Sequence, residues 1–169
     1  RVSMQYEKLW DEGFKKGEFQ WPNPHPSIPE VAKLFNKHKV EKILDLGCGA
    51  GRHVVYLAKK GFFLVGIDTS PTALSVAQKR IKKENVSNCI LLLSSMFDLP
   101  FPDDEFDAVI SIAAIDNFKV KDVKKAINES KRVLKKGGVL HANFASTEQD
   151  SFRKWRELGW RKINSRTFF

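Results

Sequence analysis

Asp45, Gly47, Gly49 and Gly51 fall within one short run, ILDLGCGAGRH. Alternate glycines strip side chains from the backbone, so the chain can turn sharply and a ligand can lie close against it. The spacing is GxGxG, and Arg52 occupies the place where a dinucleotide fingerprint needs a small residue. A second run, FFLVGID, ends on Asp68, an acid placed to accept hydrogen bonds from ribose hydroxyls. Either feature alone is common; together they point to a ligand that carries a ribose. Asp116, His25 and His53 are the candidate proton acceptors. Cys48 and Cys89 stand in no CxxC or Cys/His spacing suited to zinc, so both read as free thiols and no metal site is predicted.

These residues need elements to position them. Lys42 to Leu46 reads as a short buried strand, followed by the glycine turn and a helical stretch, RHVVYLAKKG, closed by Gly61. Residues 62–68 form a second strand. TSPTALSVAQKRIKK is a helix with Thr69 or Ser70 as N-cap and Pro71 in its first turn. Strands are predicted at Cys89 to Leu93, Phe106 to Ile112 and Val139 to Phe144, with a helix from Lys121 to Leu134 ending at Gly137 and Gly138. Apolar strands alternating with helices predict an α/β, Rossmann-like three-layer sandwich around a doubly wound, mostly parallel sheet. Its ligand site lies outside the carboxyl ends of the strands, beside the first one.

Residues 1–30 form an aromatic and proline-rich segment, 31–146 the core, and 147–169 a C-terminal helix (151–158) and one strand (160–168), an abbreviated end to the sheet. In the first segment Tyr6 and Trp10 share a helix face, and Phe14, Phe19 and Trp21 lead into WPNPHPSIP, where four prolines confine the backbone. The 169 residues suit one domain, and 42% hydrophobic with 29% charged residues excludes a disordered chain. No apolar run reaches bilayer length and the N-terminus lacks a signal-peptide core, which places the chain in the cytoplasm. The net charge of +9, and the run FRKWRELGWRKINSR with Arg and Lys interleaved with Trp155 and Trp160, keep nucleic acid open as a partner.

The run from Ile43 to Arg80 resembles the first two motifs of the class I S-adenosylmethionine-dependent methyltransferases, in the small single-domain subgroup of the type 11 and type 25 kind. LPFPDDEFDAVIS and SKRVLKKGGVL extend the resemblance over roughly residues 40 to 144. It implies that Asp45 helps to hold the amino group of the methionine moiety, while backbone at Gly47, Cys48, Gly49 and Gly51 lies against the cofactor. Asp68, with Thr69 beside it, would take the ribose. Ser95 and Met96 match the positions that meet the adenine, although the family commonly has an aspartate where Ser95 stands. Ile112 would pack on the adenosine side. Residues 1–30, with Tyr6, Trp10, Phe14, Phe19 and Trp21, would form a lid over the cofactor. Asp116, Asn117 and Phe118 occupy the loop that floors the substrate cavity, where the family often carries histidines.

The resemblance therefore implies methyl transfer from S-adenosylmethionine, with S-adenosylhomocysteine as product, by in-line displacement. A compact single domain favours a small-molecule acceptor. An RNA or protein acceptor, or a non-catalytic scaffold that retains cofactor binding, are the alternatives.

Overall fold

The computed structural model describes residues 4–143, together with strand residues 162–164 and 167–168. Two helices precede the sheet, α1 (Met4–Lys15) and α2 (Ile28–Lys37). There follow β1 (Lys42–Leu46), α3 (Arg52–Lys59), β2 (Phe63–Asp68), α4 (Pro71–Lys83), β3 (Cys89–Leu93) and β4 (Phe106–Ser111). A 3-10 turn (Ile115–Asn117), α5 (Val120–Val133), β5 (Leu134–Ala142), β6 (Lys162–Asn164) and β7 (Thr167–Phe168) complete the order. The sheet runs β3-β2-β1-β4-β5-β7-β6. The first five strands are mutually parallel, and β7 pairs antiparallel with both β5 and β6.

Successive strand side chains point to opposite faces, so consecutive residues feed two cores. Leu44, Leu46, Val65, Ile67, Val109 and Leu140 pack with Ala126, Ile127 and Val133 of α5. Ile43, Leu64, Ala108, Ile110 and Val139 pack on the other face with Val31 and Phe35 of α2 and Val54 and Leu57 of α3. Both faces are covered, as the apolar strands require. Chain order reverses between β1 and β4, which opens the crevice above the glycine turn.

Three elements differ from the sequence-based expectation. Helix α2 lies where only a constrained, proline-rich stretch and the start of the core were foreseen. Pro29 in its first turn starts it, and Ile28, Val31, Ala32 and Phe35 form its buried face. The helix starts at Ile28, so the boundary placed after residue 30 falls inside it. Strand β5 begins at Leu134, not Val139, because Leu134 pairs with Phe106 across a bulge and helix passes directly into strand. The C-terminal strand expected over residues 160–168 is two short antiparallel strands. The helix expected at 151–158, and most of the basic, Trp-containing run, lie outside the described residues.

Candidate active site

The turn after β1 is built from local geometry. Gly47 has φ +68°, and a Cβ placed there would come 2.6 Å from the Ala114 Cβ in the loop after β4. Only glycine lets that loop approach. Gly51, at φ +76°, begins α3, and its Cβ would meet Ala77 of α4 at 2.9 Å. Gly51 thus admits one helix to another and stands outside the cavity lining. Between them Cys48 N–H continues the ladder to Ile67 O at 2.9 Å, and Gly49 N–H donates to Asp68 Oδ2 at 2.8 Å.

A cavity of about 320 Å³ opens above this turn. Gly47, Cys48, Gly49, Asp68, Thr69, Ser95, Met96, Ile112, Tyr6, Trp10, Asn117, Phe118 and His53 line it; Asp45, Asp116 and His25 do not. Glu7, Phe14, Phe19, Trp21, Arg52, Ser94 and Phe97 also line it; Phe14, Phe19 and Trp21 belong to the segment expected as a lid, whereas Glu7, Arg52, Ser94 and Phe97 carried no expected site role. Arg52 was legible only as the residue that breaks a dinucleotide fingerprint.

Asp45 is 1% exposed, and its Oδ2 has no hydrogen-bond partner. Burial first, and then the charge of Asp68, push its carboxyl up to about 7, while Arg52 opposes the shift. A buried carboxylate oxygen without a partner is costly, and it suits a cationic group arriving from outside. Asp68 is better satisfied. Its Oδ1 accepts from Ser70 N–H at 2.9 Å and its Oδ2 from Gly49 N–H, yet burial still raises its carboxyl. Each oxygen keeps a further lone pair for a hydroxyl donor. The N-cap of α4 is Ser70, whose Oγ accepts from Ala73 N–H at 3.0 Å.

Rings form the roof and one wall. Phe97 meets Phe118 at 4.9 Å between centroids, Phe118 meets Tyr6 at 5.4 Å, and Phe19 touches Trp10, Phe14 and Trp21 at 5.0–5.9 Å. Trp21 lies 4.8 Å from the Arg52 guanidinium, whose Nη1 donates to Asn23 O at 3.2 Å. The loop carrying Ser95 and Met96 is clipped to α5. Leu99 N–H donates to Glu129 at 2.7 Å, and Arg132 donates to Phe101 O and Leu99 O at 2.7 and 3.0 Å. Ser95 Oγ accepts from Phe97 N–H at 3.2 Å, so this hydroxyl shapes its own loop while facing the cavity.

The three candidate bases fare differently. His53 Nε2 accepts the His25 backbone N–H at 3.0 Å, which fixes its proton on Nδ1 and occupies the lone pair a base would use. Burial, then Arg52, lower its pKa to about 3. His25 Nδ1 accepts Ser27 N–H at 3.2 Å and lies 2.9 Å from Ser27 Oγ, itself 3.1 Å from His141 Nε2. These histidines fasten the proline-rich strap to α3 and β5. Asp116 is raised by burial and keeps a buried Oδ1 without a partner. Asn117 closes the 3-10 turn by donating to Ala113 O and Ala114 O at 3.0 and 3.1 Å. No helix among the described residues is long and apolar enough to cross a membrane.

Residues 44–142 match the family model described as a methyltransferase domain. An uncharacterized methyltransferase of Synechocystis is 39% identical over 142 residues, 75% of this chain and 65% of that protein. A demethylmenaquinone methyltransferase of Tropheryma whipplei is 37% identical over 110 residues, 65% of this chain and 44% of its own length. The chain thus spans about half to two thirds of these curated relatives. Among solved structures, the magnesium protoporphyrin IX methyltransferase of Synechocystis with bound S-adenosylmethionine superposes with a TM-score of 0.78, covering 99% of this chain and 97% of that one. At 14% identity it shows the shared fold.

Proposed function

The chain belongs to the class I S-adenosylmethionine-dependent methyltransferase family, and on that premise we propose that its cavity binds S-adenosylmethionine and that the protein transfers the methyl group to a small-molecule acceptor. The observation that carries this reading is the unpartnered, buried Asp45 oxygen beneath a turn of bare backbone, with Asp68 at the next strand end. Asp45 takes the ammonium of the methionine moiety and Arg52 its carboxylate, so the two ends of a zwitterion meet opposite charges. Asp68 receives the ribose hydroxyls. Met96, Phe97 and Ile112 bracket the adenine, and Ser95 offers it a hydroxyl.

S-adenosylmethionine supplies a methyl group on a positively charged sulfur, a leaving group that needs no covalent help. The protein's task is alignment and exclusion of water. The aromatic roof from α1 and the strap does the second. Among the described residues the His53 lone pair is occupied and the half-buried Asp116 carboxyl is raised by burial, which favours an acceptor that reaches the site already nucleophilic. A roofed cavity of this size, rather than an open basic groove, supports a small acceptor. The relatives named for demethylmenaquinone support an apolar, ring-bearing one, in keeping with the Phe97, Phe118 and Tyr6 wall.

Calorimetric titration of the full chain with S-adenosylmethionine, S-adenosylhomocysteine and NAD tests the cofactor assignment. Binding of the first two alone is expected, and then a screen of ring-bearing acceptors for methylated product. Binding of NAD, or of none of the three by folded protein, refutes the assignment. Cofactor binding without turnover on any acceptor would favour the scaffold reading.

A further inference from the structure

Helix α1 roofs the cavity through Tyr6, Trp10 and Phe14, yet ring contacts alone do not fix its position along the core. Among the described residues its only hydrogen bonds to the core come through Asp11. Asp11 Oδ1 accepts from Ser70 Oγ at 2.7 Å and from Thr72 N–H at 3.1 Å. Ser70 is fully buried. Its Oγ caps α4, and its own N–H donates to Asp68 Oδ1 at 2.9 Å, while Asp68 Oδ2 holds Gly49 N–H. The hydrogen bonds therefore run without a break from the roof, through one serine, to the strand-end acid and the glycine turn.

Placing a second acid here has a cost, because Asp11 and Asp68 repel each other. Two features offset it. The N-terminal end of α4 favours negative charge, and Lys15 lies 3.0 Å from Asp11 Oδ2. The bonds from Ser70 and Lys15 hold the Asp11 carboxyl well below the ordinary range, so it is charged at neutral pH.

We propose that Asp11 is a positioning residue, a latch that seats α1 over the bound cofactor and, through Ser70, fixes the Asp68 oxygens that receive the ribose. The latch rests on the cofactor reading above. Coupling of this kind is reciprocal: a ligand that holds Asp68 also holds the roof, and loss of the latch speeds ligand release.

The test uses the full chain with S-adenosylhomocysteine as probe and compares wild type with Asp11→Ala, Asp11→Asn and Ser70→Ala. Dissociation is followed by stopped-flow fluorescence of the cavity tryptophans, Kd by calorimetry, and amide exchange of residues 4–15 without ligand. Asp11→Ala should raise Kd about fivefold to tenfold, the usual scale for losing a cap-type acceptor, and should do so through faster release. Asp11→Asn keeps an acceptor oxygen for Ser70 and Thr72 and should return to within about threefold of wild type. Ser70→Ala should behave as Asp11→Ala, and the double variant should add little to either. A wild-type release rate in Asp11→Ala, whatever its melting temperature, overturns the latch; so does an Asn variant as defective as the Ala one. If wild type does not bind the probe, the cofactor reading fails. Amide exchange then judges the latch by itself: unchanged protection of α1 in Asp11→Ala overturns it, and faster exchange supports it.

Discussion

Asp45→Asn separates what the site needs from what the fold prefers. In the folded chain the Asp45 carboxyl is pushed up to about 7 by burial and by Asp68. An ammonium ligand requires the ionised form, so binding must expel the proton that the ligand-free protein carries. With a midpoint near 7, about half the sites are ionised at pH 7 and about one tenth at pH 6. Apparent Kd should therefore rise about tenfold for each unit below 7 and level off above it. The useful window is about pH 5.5 to 7.5, below the range where the ligand's own amino group titrates. Calorimetry in two buffers of different ionisation enthalpy should register release of close to one proton at pH 6 and about half a proton at pH 7. In Asp45→Asn this proton release and this pH slope should vanish, and Kd at pH 7.5 should rise tenfold or more through loss of a charge-assisted bond. Stability should move the other way. A folded pKa raised from about 4 to about 7 favours the protonated folded state, so the stabilisation is full below about pH 4 and lost as pH rises toward 7. Above pH 7 the asparagine variant, freed from an ionised buried oxygen, should be more stable by up to about 4 kcal/mol, three units at about 1.4 kcal/mol each. An asparagine variant that keeps the wild-type pH slope of Kd, or gains no stability at pH 8, would refute both the buried charge and its role in binding.

The other expectations follow from single contacts. Gly47→Ala sets a Cβ 2.6 Å from Ala114 in a left-handed conformation; it should cost about 2 kcal/mol or more in denaturant melts and remove measurable cofactor binding. Arg52→Met should weaken S-adenosylmethionine about tenfold while leaving adenosine within about twofold, a comparison made by competition calorimetry; equal losses for both ligands would move Arg52 away from the methionine carboxylate. His53, depressed to about 3 by burial, contributes stability that is full above about pH 6.5 and falls as pH drops, because the unfolded chain takes up the proton first. Between about pH 4 and 6.5 Asp45 acts in the opposite direction and offsets it. Asp45→Asn should therefore unmask a decline of about 1.4 kcal/mol per pH unit, readable in urea melts at pH 5 and 6, and a flat profile there would discount the buried histidine.

The parts of the site legible in the sequence were those written in local chemistry. A left-handed turn needs glycine, an N-cap needs a residue such as Ser70, and a buried strand needs an unbroken apolar run. Asp45, Gly47 and Asp68 could therefore be placed by reading along the chain. Helix α2 was missed although Ile28, Val31, Ala32 and Phe35 carry helical spacing, because the prolines before it read as extended backbone. Gly137 and Gly138 misled in the reverse sense. They look like a helix stop, but pairing of Leu134 with Phe106 had already drawn the chain into the sheet.

What only the tertiary structure decided is which distant groups satisfy one another. Asp11 meets Ser70, His25 meets His53, and Ser27 meets His141 across gaps of 59, 28 and 114 residues. None of these pairs has a spacing rule, because each partner is selected by burial: once folding removes water, a polar atom must bond to whatever the packing brings within reach. By that rule two candidate bases, His25 and His53, became fasteners of the roof; the Asp45 oxygen, which the packing leaves without a partner, is the exception. The sequence by itself determined a mostly parallel sheet with a bare-backbone turn and two strand acids, Asp45 and Asp68, at its centre; the packing of α1 and the proline-rich strap decided how that turn is covered and which polar atoms beneath it are left without a protein partner.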